Sequence, residues 1–512
     1  MASRQTITTP RKTTETKKTS RSSLKRLSRR SNNPCLPMYL RLLALCLVCL
    51  AGIGEKLPGQ SSPYWDWPGF RSLVLRQHPT ARQADLLLEQ AQVELLRARG
   101  AFDPKVYGDW TGKHFNGKQY FYYSEVGVKI PTWLGIEVKS NYNQAAGAFV
   151  NPESTLPDRG QFAMGLQWTL GRGLFIDDRR ADLQIGQIGL TQRRAERSAL
   201  LNDLLFEAAK VYWEWVFAQN ALSIYEAALQ QAQIRFEGIV ESYRQGDKPA
   251  IDTLEAFIQV QNRLLDVNFA RVDLQNTTIA LTTFLWGPNG DPAGLDGIPA
   301  PAEVLMAGRY PPLTEETAEE LLRQAQTRHP LLRTYDAKLR ALEIERRLKV
   351  ENRKPQLDLT YQLLGNGWQF FTTPGVEGPQ VLASDIKWGL QFSYPILNRK
   401  ARGDWQLAQI KIAQNNLELS QKRLEIENKT RQYLNEINTL SGQVALFRDI
   451  TANYRALLDG EYEKFRFGES SVFLINTREQ RWLDAQIKYL KLMASYRKTE
   501  AALLWSAGIL AE

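Results

Sequence analysis

Few residues in this 512-residue chain have the type and spacing for chemistry. Two of the three histidines, His78 and His329, each stand before a proline at the start of a charged helical stretch. Neither lies near a carboxylate pattern that would complete a metal site, and a structural role at a helix start is the simpler reading. Gly112-Lys-His-Phe-Asn-Gly-Lys-Gln119 comes close to a phosphate-binding loop. Gln119 replaces the required hydroxyl, however, and the residues after it read as strand, so no helix N-terminus follows to hold phosphate. These residues form a loop between strands. Cys35, Cys46 and Cys49 are the only thiols, and no pair of carboxylates is set apart for acid/base work. The expectation is a protein with no catalytic residues, no metal site and no cofactor, hence not an enzyme.

The net charge of +10 is a property of the N-terminus. Residues 1–54 hold 11 of the 65 Lys and Arg and a single acid, Glu15, and the remainder carries 54 basic against 54 acidic residues. A neutral body gives no phosphate-binding surface, so no nucleic-acid partner is expected. The basic, Ser/Thr-rich start runs into Met38-Tyr-Leu-Arg-Leu-Leu-Ala-Leu-Cys-Leu-Val-Cys-Leu-Ala-Gly-Ile-Gly54, which has the order of a secretory signal peptide, with Met38 an alternative start. All three cysteines fall in or just before this segment, so an exported mature chain would contain none. No later segment reaches the roughly 20 apolar residues of a membrane-spanning helix.

Sliding the chain on itself exposes a duplication. His78-Pro79 matches His329-Pro330, and Pro104 matches Pro355, both 251 residues apart. Further on, Leu166-Gln-Trp168 matches Leu390-Gln-Phe392 at 224, and Tyr243-Arg-Gln-Gly-Asp247 matches Phe465-Arg-Phe-Gly-Glu469 at 222. The first copy therefore carries 27 extra residues between its strands. The expected division is a targeting segment at 1–54, a first repeat at 55–286, a Gly/Pro-rich connector at 287–314 and a second repeat at 315–512.

Each copy contains a heptad-patterned rod. Leu201, Leu204, Ala208, Val211, Trp215, Ala218, Leu222, Tyr225, Leu229, Ala232, Phe236, Ile239 and Tyr243 keep a 3-4 alternation, which imposes a left-handed supercoil. Ile426, Tyr433, Ile437, Leu440, Val444, Phe447, Tyr454, Leu458 and Phe465 repeat the register, with Arg423, Thr430, Thr451 and Glu461 as polar exceptions. Rods from near Asp178 or Ala401 span roughly 100 Å at 1.5 Å per residue. Gly246 and Gly468 suit C-caps, and a return helix follows each, helped by Pro249 in one copy and by Ser470 or Ser471 in the other.

The segments between these helices alternate. Phe162, Met164, Leu166, Trp168 and Leu170 oppose Gln161, Ala163, Gly165, Gln167 and Thr169, and Ile386, Trp388, Leu390, Phe392 and Tyr394 oppose Lys387, Gly389, Gln391 and Ser393. Leu357, Leu359, Tyr361 and Leu363 alternate likewise, with Val106, Gly108 and Trp110 as a weaker equivalent. This dyad period over about ten residues suits a transmembrane β-barrel strand. The 27 extra residues are of a size for another hairpin, around Val126 to Ile130 and Leu134 to Tyr142 and broken by Pro131; its place relative to a barrel is not readable from the pattern. Heptads alone would also fit an exported structural coiled-coil protein without transport activity, but such a protein has no use for the strands.

With its duplication, Gly-capped tips, Ala101-Phe-Asp-Pro104, Ser393-Tyr-Pro-Ile-Leu-Asn398 with Arg402-Gly403, and Leu474-Ile-Asn-Thr-Arg-Glu479, the chain from about Phe70 to Leu510 resembles the TolC-like outer-membrane efflux protein family. The resemblance implies an α+β membrane protein, a duplicated unit of coiled-coil helices (α-barrel) with transmembrane antiparallel β-barrel strands, completed by trimerisation. Each protomer of a homotrimer would give four strands to a twelve-stranded barrel in the outer membrane of a Gram-negative bacterium. Its helices would form a large periplasmic part whose tips meet a periplasmic adaptor (membrane fusion) protein and an inner-membrane transporter. Carried over by position, Gly246 with Asp247 and Gly468 with Glu469 mark the adaptor-contacting tips. The function implied is the outer-membrane channel of an efflux or type I secretion system, and the extra hairpin leaves the strand number open.

Overall fold

The computed structural model describes residues 66–294, 303–365, 367 and 385–511. The expected targeting segment at 1–54, with all three cysteines, lies outside the described residues. In the first half, α1 (Trp67–Gln77) and α2 (Pro79–Arg99) precede four strands, β1 (Lys105–Phe115), β2 (Lys118–Pro131), β3 (Ile136–Ala146) and β4 (Gln161–Gly171). The long helix α3 (Asp178–Arg244) and the return helix α4 (Ala250–Thr282) follow. After the short α5 (Glu303–Met306) the order recurs as α6 (Glu315–Arg328), α7 (Pro330–Glu351), β5 (Gln356–Leu364), β6 (Ile386–Ser393), α8 (Arg399–Arg466) and α9 (Val472–Ser506).

The six strands form one antiparallel sheet in sequence order, β1-β2-β3-β4-β5-β6. The extra hairpin, β2 with β3, is thus part of the sheet and separates β1 from β4. The four strands per protomer implied by the family resemblance are exceeded by two. Residues 112–119, expected as a loop, are instead the end of β1 and the start of β2, joined by a two-residue turn in which Asn116 and Gly117 have φ of 50° and 70°. Asn-Gly tolerates the left-handed region at both positions, which is what a tight hairpin turn between right-twisted strands demands.

Two large cores, with smaller clusters beside them, hold the helices among the described residues. In the first, Phe70 stacks on Tyr212 at 5.2 Å, Trp67 packs on the same ring at 5.5 Å, and Leu205, Val216, Leu490 and Met493 fill the space around them. In the second, Leu321, Ala325 and Leu332 of α6 and α7 close over Ile426, Ile437 and Leu440 of α8. The end of α9 lies between the two rods: Asn202 on α3 donates to the Trp505 carbonyl at 2.8 Å and accepts from the Leu510 amide at 3.0 Å, while Thr430 on α8 donates to the Ser506 carbonyl at 3.3 Å. Thr430, a polar residue at a heptad position, is therefore buried with its hydroxyl satisfied, so it costs the seam little.

Helix starts follow local chemistry. Asp177 caps α3 by accepting from the Arg180 amide at 2.9 Å, and Ser471 caps α9 by accepting from the Leu474 amide. The two histidines do the same work: His78 Nδ1 accepts from the Thr80 amide at 3.1 Å, and His329 Nδ1 from the Leu331 amide at 3.2 Å, each just before the proline that opens its helix. Only a neutral imidazole can accept in this way. Burial pushes the His329 pKa down to about 4; at His78 burial also lowers it, against an opposing backbone hydrogen bond involving Thr283.

Candidate channel wall and helical tips

Both rods end in the same turn. Gly246 has φ +85° and Gly468 φ +77°. In the first tip the Gly246 amide donates to Tyr243 O and the Asp247 amide to Ser242 O, both at 3.0 Å. In the second, the Gly468 amide donates to Phe465 O at 3.1 Å and the Glu469 amide to Lys464 O at 2.9 Å. These paired bonds satisfy carbonyls that the helix end would leave bare, and they require a left-handed residue after the cap. Nothing lies within 4 Å of where a Cβ would stand at either glycine, so backbone conformation alone selects glycine there. Gly246, Asp247, Gly468 and Glu469 are all exposed.

The two tips pack together just behind these turns. Ile239, Ala256 and Val472 form a small core flanked by Phe236 and Phe465, and Lys248 Nζ lies 4.5 Å from the Phe465 ring centre. Ser470 does not cap α9; its hydroxyl donates to Glu461 Oε1 at 2.6 Å, which, with the nearby Lys464 and Arg478, holds the Glu461 carboxyl below the usual range. Glu461 is one of the polar heptad exceptions and is thus accounted for.

Sequence reasoning missed a second set of residues deeper along the hairpins. Arg235 on α3 meets Glu479 on α9 through two nitrogens, at 2.6 and 2.7 Å, and also reaches Asn476 Oδ1 at 2.9 Å and Tyr462 Oη at 2.8 Å. Burial opposes the charge on Arg235, but the Glu479 carboxylate outweighs it and the pKa is raised. On α4, the fully buried Arg263 bonds Asp266 at 2.8 Å and donates to Gln480 of α9. Two arginines of the first half therefore grip adjacent residues of the second. A forked guanidinium on a carboxylate fixes orientation as well as charge, which pins the rotational setting of α9 against α3.

The sheet sorts its side chains by face. Cross-strand neighbours Val106–Val128–Ser140–Met164–Leu363–Ile386 and Gly108–Val126–Tyr142–Phe162 lie on one side, joined by Val138–Leu166–Tyr361–Trp388 and Ile136–Trp168–Leu359–Leu390. The other side carries Lys105–Lys129–Lys139–Gly165–Gln362–Lys387 and Glu137–Gln167–Thr360–Gly389. An apolar face on every strand backed by a polar one is the division between lipid and water that a barrel wall needs.

The helices are equally one-sided. Ile251, Ile258, Leu265, Val272 and Ile279 recur every seventh residue along α4 and are 45–71% exposed. On α8, Ile410, Leu417 and Leu424 do the same, at 52–72%. Stripes with a seven-residue period are the pattern of coiled-coil seams, and among the described residues these are left exposed.

The sequence profile of the Outer membrane efflux protein family matches residues 321–508, from α6 through α9. The match covers just over a third of the chain, and over that part the sequence is similar to the family. Among solved structures, the Campylobacter jejuni CmeC outer membrane channel aligns at a TM-score of 0.59 with 14% identity, over 86% of this chain and 85% of that one. The open state of the Neisseria gonorrhoeae MtrE outer membrane channel aligns at 0.60 with 14% identity, over 86% and 88%. The Vibrio cholerae outer membrane protein VceC aligns at 0.59 with 13% identity, over 86% and 96%. These likenesses establish the fold: long helices packed in pairs with antiparallel strands, over most of the chain. No curated protein matches the sequence closely. Among the described residues there is no group of His, Cys, Asp or Glu that could hold a metal ion, and no helix long and apolar enough to cross a membrane.

Proposed function

We propose that this chain is the outer-membrane channel component of an efflux or type I secretion system, a homotrimer that passively conducts substrates from a periplasmic adaptor and inner-membrane pump to the outside. The observation that carries this reading is that two surfaces of one chain lack the environment their chemistry calls for. The sheet has an apolar face and two open edges, and bare backbone groups cost several kcal/mol each in lipid, so the edges call for other copies. The exposed heptad stripes on α4 and α8 call for helices of neighbouring copies in the same way. Closing both at once produces a barrel continuous with a helical tube, whose polar lining admits water. Transport through such a duct needs no group that reacts, only partners that load it.

In this reading Gly246, Asp247, Gly468 and Glu469 face the adaptor. The turns put a backbone bend and an acidic side chain at the extreme end of each hairpin, and the core of Ile239, Ala256 and Val472 behind them keeps the two ends side by side. Opening would be a change in how the tip hairpins supercoil. Reconstitution into a planar bilayer tests the proposal: discrete current steps without any energy source are expected. Folded, membrane-inserted protein that conducts nothing, even after the tips are loosened by Gly468→Pro, would refute it.

A further inference from the structure

We infer that the hairpin formed by β2 and β3 is built into the membrane wall, so that each copy supplies six strands and three copies close an eighteen-stranded barrel. This rests on the trimeric channel reading above and concerns the width of its membrane part.

The hairpin is hydrogen-bonded on both sides. β2 pairs with β1 from Lys105↔Lys129 to Phe115↔Lys118, and β3 pairs with β4 from Ile136↔Trp168 to Asn143↔Gln161. It cannot stand above the wall without breaking both ladders, because β1 and β4 do not touch each other. Its side chains obey the sorting of the other strands: Val126, Val128, Ile130 and Val138 continue the apolar face, and Lys129, Lys139, Glu125 and Asn141 the polar one. A one-residue slip would reverse every one of these. The start of β3, next to the turn between its strands, is tied to the first turn of α3 by Glu137 on Arg179 at 2.5 Å, which fixes that turn at the helical end of the sheet.

Two added strands also preserve closure. With an even number, the edge strands β1 and β6 run antiparallel, so β6 of one copy can pair with β1 of the next and no edge is left in lipid. The apolar side chains at those edges are among the barest of their face: Val106 is 78% exposed, and Trp388 and Phe392 68% each. The occupant that fits is a second copy of this chain, which alone offers a matching antiparallel edge with its apolar side facing the same way.

With strands about 4.8 Å apart and tilted about 40°, an eighteen-strand cylinder measures about 36 Å across its Cα atoms, against about 24 Å for twelve strands. The hairpin adds no helix, so the helical tube keeps its width and the duct flares where it crosses the membrane.

Electron cryomicroscopy of the full chain in lipid nanodiscs, at a resolution that separates strands, decides the matter. Three-fold particles with eighteen strands are expected. Three-fold particles with twelve, and hairpin density outside the wall, would overturn this inference and leave the channel reading standing; particles without a three-fold tube would overturn both. A second measurement needs no image. With Cys35, Cys46 and Cys49 changed to Ser, a fluorophore on Val128→Cys or Val138→Cys is expected to lose most of its emission to a quencher carried on lipid chains, and one on Lys139→Cys to keep it. Equal, weak quenching at all three positions would place the hairpin outside the membrane.

Discussion

His78 and His329 cap equivalent helices through the same ring nitrogen, and Gly246 and Gly468 close equivalent rods through the same pair of backbone bonds. Arg235 and Arg263 have no such counterparts: 222 residues further on stand Leu457 and Ala485. Their acceptors Glu479 and Gln480 correspond in turn to Phe257 and Ile258 in the first half. The duplicated halves thus agree where a single chain segment must solve a local backbone problem, and differ where each faces the other. That is the expected outcome when two copies of one unit come to pack asymmetrically: caps and turns are set by geometry that both share, and the contact between copies demands complementary residues rather than identical ones.

The asymmetry should be most visible at the buried ion pair. Arg235→Ala leaves the Glu479 carboxylate, with its side chain 7% exposed, without its cation, at a cost of about 3–5 kcal/mol. Leu457→Ala, the same position in the other rod, removes a half-exposed side chain and should stay within about 0.5 kcal/mol. Denaturant unfolding followed by circular dichroism in detergent measures both, and similar losses would erase the distinction between the halves. Restoring apolar packing with Arg235→Met and Glu479→Met together should recover much of the first loss, since no unpaired charge is then buried.

The tips should behave alike. Gly246→Ala and Gly468→Ala each force a side chain into the left-handed region, at about 1–2 kcal/mol, without any clash to add. A clearly larger loss at one tip would mean that something beyond backbone conformation holds that turn.

The two histidine caps differ only in degree. His329→Ala removes a cap and should cost about 1 kcal/mol. Because the folded-state pKa of about 4 lies below the ordinary 6.5, the unfolded chain takes up the proton first. The stability this group contributes is therefore complete above about pH 6.5 and lost as the pH falls toward about 4. His329→Asn keeps an acceptor at the cap and should flatten that part of the melting temperature against pH; His78→Asn should flatten it less. The smallest effects on stability belong to Asp247→Ala and Glu469→Ala, which are exposed and should change it by no more than about 0.5 kcal/mol while weakening adaptor binding in a pull-down.

Much of this architecture could be read from the residues because it rests on local periods. The heptads of α3 and α8, the alternation of β4 and β6 and the glycines at both tips each report a conformation within a few residues of themselves. What could not be read is tertiary. Arg235 and Glu479 are 244 residues apart and look like any two charges on solvated helix faces. Their only signal is that Arg235 has no charged counterpart in the second copy. The inserted hairpin gave two short alternating runs interrupted by Pro131, which stands at the end of β2, but the partners that draw it into the sheet lie in β1 and β4. The polar heptad residues Thr430 and Glu461 read as interruptions until their acceptor and donor, the Ser506 carbonyl and the Ser470 hydroxyl, were in view.

The claim on which the rest depends is that one chain is an incomplete wall. Native mass spectrometry of the detergent-purified protein tests it most directly, read beside Leu265→Glu, which places a charge in the middle of the exposed α4 stripe. The account predicts three copies for the natural sequence and dissociation for the variant. A single copy in both would contradict it, and three copies in both would mean that the α4 stripe is not the seam between them.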